Sequence, residues 1–222
     1  RCAPQVHGPM IDILREARRI LTIEINSATD NPLVFSNNGK AEVISGGNFH
    51  GQILALTSDN MAVCIHEIAS ISERRINQVL DPQWSNQKAF LANNQGLESG
   101  LMIVQYVAAA VIAELSLLSN SVTTTNIPVS MGKEDHVSMG ATGAFRTFKS
   151  SKLLSLVISS ELICSTQALD NIPEKASDSV SSIHHWIRKY VPELIEDRST
   201  SKDTEIIAEK ILSREFTNIF EK

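Results

Sequence analysis

An all-α fold built on long central helices is what this sequence predicts, and three observations carry that reading. Apolar residues recur at helical spacing over long stretches, two of those stretches are apolar on nearly every side, and strand signals are confined to one short Asn-Gly hairpin. With 222 residues and 42% hydrophobic content, the chain can bury a substantial core.

After Pro9, the segment Met10 to Ile25 places Met10, Ile13, Leu14, Ala17, Leu21 and Ile25 on one face, which predicts an amphipathic helix. It stops at Asn26-Ser27-Ala28-Thr29-Asp30-Asn31-Pro32, whose side chains bond their own backbone and whose proline disfavours helical geometry at Asn31. Leu33 to Phe35 and Val43 to Ile44 flank Asn38-Gly39 and predict a hairpin, the only strands expected. From Gln52 to about Leu80 a second helix carries Leu54, Met61, Ile65, Ile68, Ile76 and Val79 on one face, with Asp59, Glu67, Glu73, Arg74 and Asn77 mostly elsewhere. An Asn- and Gln-rich loop from Asp81 to Gly96 leads into Leu101 to Leu118, which is almost wholly apolar.

That stretch is long enough to raise the question of a membrane span, but Gln105 and Glu114 interrupt it and no Lys/Arg cluster flanks it. It is read as a central bundle helix covered on every side, and no membrane is expected as a partner. The Ser/Thr/Asn-rich run from Ser119 to Ser130 is a loop. From Val137 onward, Ala141, Ala144, Phe145 and Phe148 mark one face, and Leu153 to Ile163 then fill nearly every side of a second central helix running to about Leu169. Beyond Pro173 the composition turns charged and serine-rich, with amphipathic pieces at Val180 to Tyr190 and Thr204 to Leu212. Residues 1–172 are therefore read as a central helical portion and 173–222 as outer helices.

The net charge of −5, from 20 basic and 25 acidic residues without a basic block, argues against nucleic acid as a partner. Cys2, Cys64 and Cys164 are odd in number and far apart, which fits reduced thiols and a cytoplasmic protein. The opening Arg1-Cys2-Ala3-Pro4 has no Met and reads as cut from something longer. Single histidines carry little: His66 has no ligand at i+4, and His184-His185 point in different directions on a solvated helix, so no metal site is expected.

Two stretches concentrate chemistry. Ser130-Met131-Gly132-Lys133-Glu134-Asp135-His136-Val137-Ser138-Met139 packs two carboxylates, an imidazole and two hydroxyls where a loop meets a helix, a junction whose free N–H groups and dipole favour an anion. Its plain structural reading makes Asp135 an N-cap and Glu134 a surface residue. Ser45-Gly46-Gly47-Asn48-Phe49-His50-Gly51 brings three glycines around one aromatic and one imidazole, which permits close backbone approach to a partner. Its plain structural reading is a connector with Phe49 tucked into the core. It lacks the spacing and the lysine of a phosphate loop.

Taken with Arg1-Cys2-Ala3-Pro4-Gln5-Val6-His7-Gly8 and with Ser72-Glu73-Arg74-Arg75-Ile76, these stretches, in this order and spacing, closely resemble the histidine ammonia-lyases of the aromatic amino acid ammonia-lyase family. The resemblance covers roughly Arg1 to Asp170 and is loose beyond it. It implies an ammonia-lyase-type bundle whose central helices join those of other subunits in a homotetramer. It implies elimination of ammonia from L-histidine to give urocanate, on an electrophilic methylidene-imidazolone (MIO) formed from an Ala-Ser-Gly tripeptide. That tripeptide does not occur here and belongs to an N-terminal portion preceding Arg1 in the family, so the isolated chain is expected to be inactive.

Residue by residue, the resemblance gives Arg1 the substrate carboxylate, a role suited to a planar bidentate donor. It sets Phe49 beside the electrophilic ring and the substrate, and Glu134 near the substrate imidazole, binding it or helping to move protons. Asp135, His136 and Ser138 fall to capping and support. Family members acting on phenylalanine or tyrosine carry Gln where Glu134 stands, so histidine is favoured. Gly132-Lys133 replaces the more usual Asn-Gln and places an extra positive charge beside Glu134. Other readings are a non-catalytic helical assembly module, a lyase or aminomutase for another aromatic amino acid, and an aspartase- or fumarase-type lyase, to which only Ser130-Met131-Gly132-Lys133 faintly corresponds.

Overall fold

The structure is a computed structural model and describes residues 2–220. Its α-helices are α1 (Ala3–Ile25), α2 (Gln52–Leu80), α3 (Pro82–Ser85), α4 (Met102–Leu118), α5 (Gly140–Asp170), α6 (Asp178–Arg188) and α7 (Ser201–Leu212). The described residues hold one sheet, the antiparallel hairpin of β1 (Leu33–Asn37) and β2 (Lys40–Ile44), with Leu33 opposite Ile44 and Asn37 opposite Lys40. Asn38 and Gly39 turn it with φ of 50° and 77°, the left-handed pair that a two-residue hairpin loop needs. The mostly helical fold with one small hairpin is the predicted one.

The chain divides into two compact units, one holding the described residues up to Cys64 with Leu118–Lys149, the other Ile65–Leu117 with the described residues from Ser150 onward. In the second unit the C-terminal half of α2 buries Ile65, Ala69, Ile76 and Leu80, and α4 buries Val104, Ala108, Val111 and Leu115, both at helical spacing. Val157, Ile163, Cys164 and Ala168 of α5 complete this core with Trp186, Ile187, Val191, Leu194 and Ile207 from the chain beyond Pro173. No residue of α5 from Leu153 to Leu169 is fully exposed, as its all-round apolar pattern predicts. Ser72 donates to Glu161 at 2.5 Å and Arg75 grips the same carboxylate, so the Ser72–Arg75 stretch clamps α2 to α5 within this unit. The hydrogen bond to Glu161 raises the Arg75 pKa, against the opposing effect of burial.

Several expectations are corrected. Helix α1 starts at Ala3 and continues through Pro9. The preceding residue is Gly8, which has no Cβ for the proline ring to strike, so one part of the objection to helix before proline is absent, while Pro9 still lacks an N–H for the helix. Of the predicted α1 stripe only Met10 and Ala17 are buried, and Ile13, Leu14, Leu21 and Ile25 are exposed. Helix α4 is covered on one side only, leaving Ile103, Tyr106 and Leu117 exposed, because the described residues supply too few neighbours to wrap it. The Asn/Gln-rich loop contains the short α3, where Pro82 follows Asp81 and the Asp81 carboxylate accepts from the Gln83 N–H. Helix α6 is not simply solvated: Trp186 and Ile187 are buried, His184 pairs with Asp170 at 2.6 Å, and the His185 Nδ1 bonds the Ser181 carbonyl.

Candidate active site

In the first unit, the Gly-rich loop and the loop carrying Glu134 meet. The Gly-rich loop is anchored at its start by Asn31, whose side-chain oxygen accepts from Ser45 Oγ at 3.0 Å and from the Gly46 N–H at 3.1 Å. Asn48 donates to the Ala28 carbonyl at 3.0 Å. Gly51, at φ +74°, ends the loop and offers its carbonyl to the N–H groups of Leu54 and Ala55, which opens α2. Between these anchors Phe49 is 56% exposed rather than tucked into the core.

On the other side, Val129 and Glu134 pair backbone to backbone, with the Val129 N–H on the Glu134 carbonyl at 2.9 Å. The chain between them reverses through Ser130, Met131 and Gly132, all left-handed with φ of 54°, 55° and 79°. This turn lifts Met131 into solvent at 96% exposure and leaves the Glu134 side chain exposed. Asp135 does not cap the following helix, because the chain bends at Asp135 and His136 and α5 begins only at Gly140. Ser138 takes that part, its Oγ accepting from the Gly140 N–H at 3.1 Å.

The two loops are joined by His50, whose Nε2 lies 2.8 Å from the His136 carbonyl, with the two imidazole rings 5.3 Å apart. The starts of α2 and α5 also approach closely: a Cβ on Gly140 would sit 3.3 Å from the Gly51 carbonyl. Phe49 and Glu134 thus lie one and two residues from a direct contact between their loops. An exposed aromatic and an exposed carboxylate on two loops joined in this way suit a flat ring bearing an N–H donor. Arg1, the third predicted site residue, lies outside the described residues.

Sequence reading missed the residue that anchors the approach to this site. Asp59 of α2 is buried and accepts from Ser121 Oγ, from the N–H groups of Val122 and Thr123, each at 3.0 Å, and from Arg146 of α5 at 3.1 Å. Burial alone would push the Asp59 carboxyl up, but the hydrogen bonds from Ser121, Val122 and Thr123 outweigh it and hold it below its ordinary value. Asn126 then ties the same loop to the Val137 carbonyl at 3.0 Å. A signal was present: Asp59 lies between Ala55 and Ala62 at i−4 and i+3, on a stripe of small buried residues. The face of α5 was also misjudged, since Gly143, Thr147 and Ser150 point inward while Phe145 and Phe148 are exposed. Gly143 faces a close approach of α2, where a Cβ would lie 3.0 Å from Ser58.

A cavity of about 580 Å³ lies in the second unit, lined by Ile103, Val107, Leu156, Asp197 and Arg198 among others, and contains none of the candidate residues. No cluster of three potential metal-ligating side chains occurs among the described residues.

Comparison with known proteins gives this geometry a family. Histidine ammonia-lyase of Myxococcus xanthus is 42% identical over 216 residues, covering 97% of this chain and 42% of that protein. Histidine ammonia-lyase of Deinococcus radiodurans is 43% identical over 219 residues, covering 99% and 41%. The crystal structure of histidine ammonia-lyase from Trypanosoma cruzi superposes with a TM-score of 0.94 at 36% identity, covering 100% of this chain and 44% of that one. A tyrosine aminomutase from Streptomyces globisporus superposes with a TM-score of 0.93 at 33% identity, covering 100% and 42%. The chain therefore spans about two-fifths of the length of the curated relatives it matches. With the aromatic amino acid lyase family model matching residues 1–189, the chain belongs to the aromatic amino acid lyase family.

Proposed function

We propose that this chain forms part of a histidine ammonia-lyase, which eliminates ammonia from L-histidine to give urocanate. The observation that carries the proposal is Glu134, an exposed carboxylate on the loop that His50 joins to the Phe49 loop. Backbone similarity alone does not choose the substrate, since the histidine lyase and the tyrosine aminomutase superpose with TM-scores of 0.94 and 0.93. The residue at position 134 supports histidine over phenylalanine: a carboxylate accepts an imidazole N–H, and a phenyl ring has none to offer.

In the reaction the Cα–N bond breaks, a proton leaves Cβ, and ammonia departs. The MIO ring, when present, supplies the electrophile that activates the substrate amine. The exposed Phe49 ring fits such a group, because it offers a flat apolar face that the rest of the chain does not cover. Within this chain, Glu134 holds the imidazole N–H or carries a proton, Phe49 packs beside the ring system, and Arg1 pairs with the substrate carboxylate. The exposed apolar faces of α1 and α4, including Ile13, Leu21, Ile103 and Tyr106, support burial against further chains, as a homotetramer provides. The Ala-Ser-Gly precursor does not occur in this sequence, so the isolated chain is expected not to deaminate histidine.

Replacement of Glu134 by Gln in the full-length protein tests the assignment, because Gln keeps shape and hydrogen-bonding capacity while removing the charge. The expected result, followed by urocanate absorbance, is a sharp fall in kcat/KM for histidine with a much smaller loss, or a gain, for phenylalanine. Equal losses on both substrates overturn the specificity role, and unchanged turnover of histidine removes Glu134 from the site.

A further inference from the structure

The His50–His136 contact has consequences beyond local packing. A carbonyl oxygen only accepts, so the 2.8 Å contact requires a proton on His50 Nε2. The residues it joins are 86 apart in sequence and stand next to Phe49 on one side and two beyond Glu134 on the other. Each loop is also held by bonds within its own part of the chain. Asn31 and Asn48 fasten the Gly-rich loop back toward residues 28–31, while Asn126 and the Val129 pairing fasten the Glu134 loop to its own approach. Gly46 and Gly47 on one loop, with nothing within 4 Å of an added Cβ, and the three left-handed residues on the other leave both backbones room to shift.

We propose that His50 is a positioning residue for the lyase reaction: its Nε2–H···O=C bond to His136 holds the loop carrying Glu134 at a set distance from the loop carrying Phe49. The proposal rests on the assignment of Phe49 and Glu134 to the site, and it gives His50 no contact with substrate. The bond acts on placement, and a misplacement of about 1 Å in a reacting group costs on the order of a hundredfold in rate.

The test is a double-mutant cycle in the full-length protein, with His50→Ala, His50→Gln and Glu134→Gln. His50→Ala is expected to lower kcat/KM for histidine by about tenfold to a hundredfold, carried mainly by kcat. In the Glu134→Gln background the same change is expected to cost less than about threefold, because the carboxylate being positioned is gone. His50→Gln, whose amide N–H reaches toward the same carbonyl, is expected to recover most of the loss at an unchanged melting temperature. Nitrogen NMR of the unliganded protein gives a readout independent of turnover and is expected to show His50 with its proton on Nε2. Equal losses from His50→Ala in both backgrounds, or an Nε2 without a proton, overturn the proposal while leaving the lyase reading intact. Should Glu134→Gln alone leave histidine turnover unchanged, the site assignment fails first and the positioning role falls with it. If His50→Ala does not fold, a His50→Gln loss as large as that of Glu134→Gln at unchanged melting temperature counts against the proposal.

Discussion

Substituting Asp59 removes the anion that ties α2, the 121–123 segment and the start of α5 together within the first unit. Its side chain is 9% exposed and that of its partner Arg146 17%, so this is a buried ion pair rather than a surface one. Breaking such a pair from one side typically costs about 3–5 kcal/mol, because the remaining charge is stranded. Asp59→Ala also removes the acceptor for two backbone N–H groups and the Ser121 hydroxyl, but Ser121 is exposed and water can replace part of what is lost. The lower end, about 3 kcal/mol, is therefore expected, and Asp59→Asn, which keeps one acceptor oxygen, is expected to cost about 2 kcal/mol. For a chain of this size about 3 kcal/mol corresponds to roughly 6–12 °C in the melting temperature. Far-UV circular dichroism on heating measures the shift, and hydrogen exchange at the Val122 and Thr123 amides should accelerate with it. The pH dependence has a definite sign. The Asp59 pKa is lowered in the fold, so its contribution is complete above the unfolded value of about 3.9 and is lost as pH falls through the folded value. Wild type should thus lose stability below about pH 4 more steeply than Asp59→Asn. A melting temperature of Asp59→Ala within about 2 °C of wild type, with unchanged exchange at Val122 and Thr123, would refute the reasoning.

Gly100 sits at φ +54°, and an added Cβ would lie 2.5 Å from the Phe90 carbonyl, so Gly100→Ala should cost about 2 kcal/mol or more, read from the same melts; a neutral substitution would mean that the loop yields freely. Thiol chemistry gives a check on burial: Cys2 is exposed, whereas Cys64 and Cys164 are buried, and burial together with the nearby Glu161 charge pushes the Cys164 thiol up. One fast-reacting thiol is expected in the folded chain and all 3 after denaturation, and a second fast thiol in the native state would contradict the packing.

What the sequence alone determined is what near neighbours along the chain decide. Asn38-Gly39 specifies its hairpin because few other residues accept two consecutive left-handed conformations, and Gln52 to Leu80 specifies its helix through spacing that repeats over about eight turns. The motifs around Phe49 and Glu134 were legible for the same reason, as short runs of unusual residues. Tertiary structure decided which faces meet. Phe145 and Phe148 look like a core stripe in sequence, yet Gly143 and Thr147 face inward, because the close approach of α2 at Ser58 admits only small side chains there. Asp59 reads as a surface charge until the fold brings Ser121, Val122, Thr123 and Arg146 around it, 62 to 87 residues away along the chain. The His50 bond to His136 joins two loops that no local pattern relates, since a hydrogen bond depends on distance and angle in space and sequence spacing fixes those only within an element.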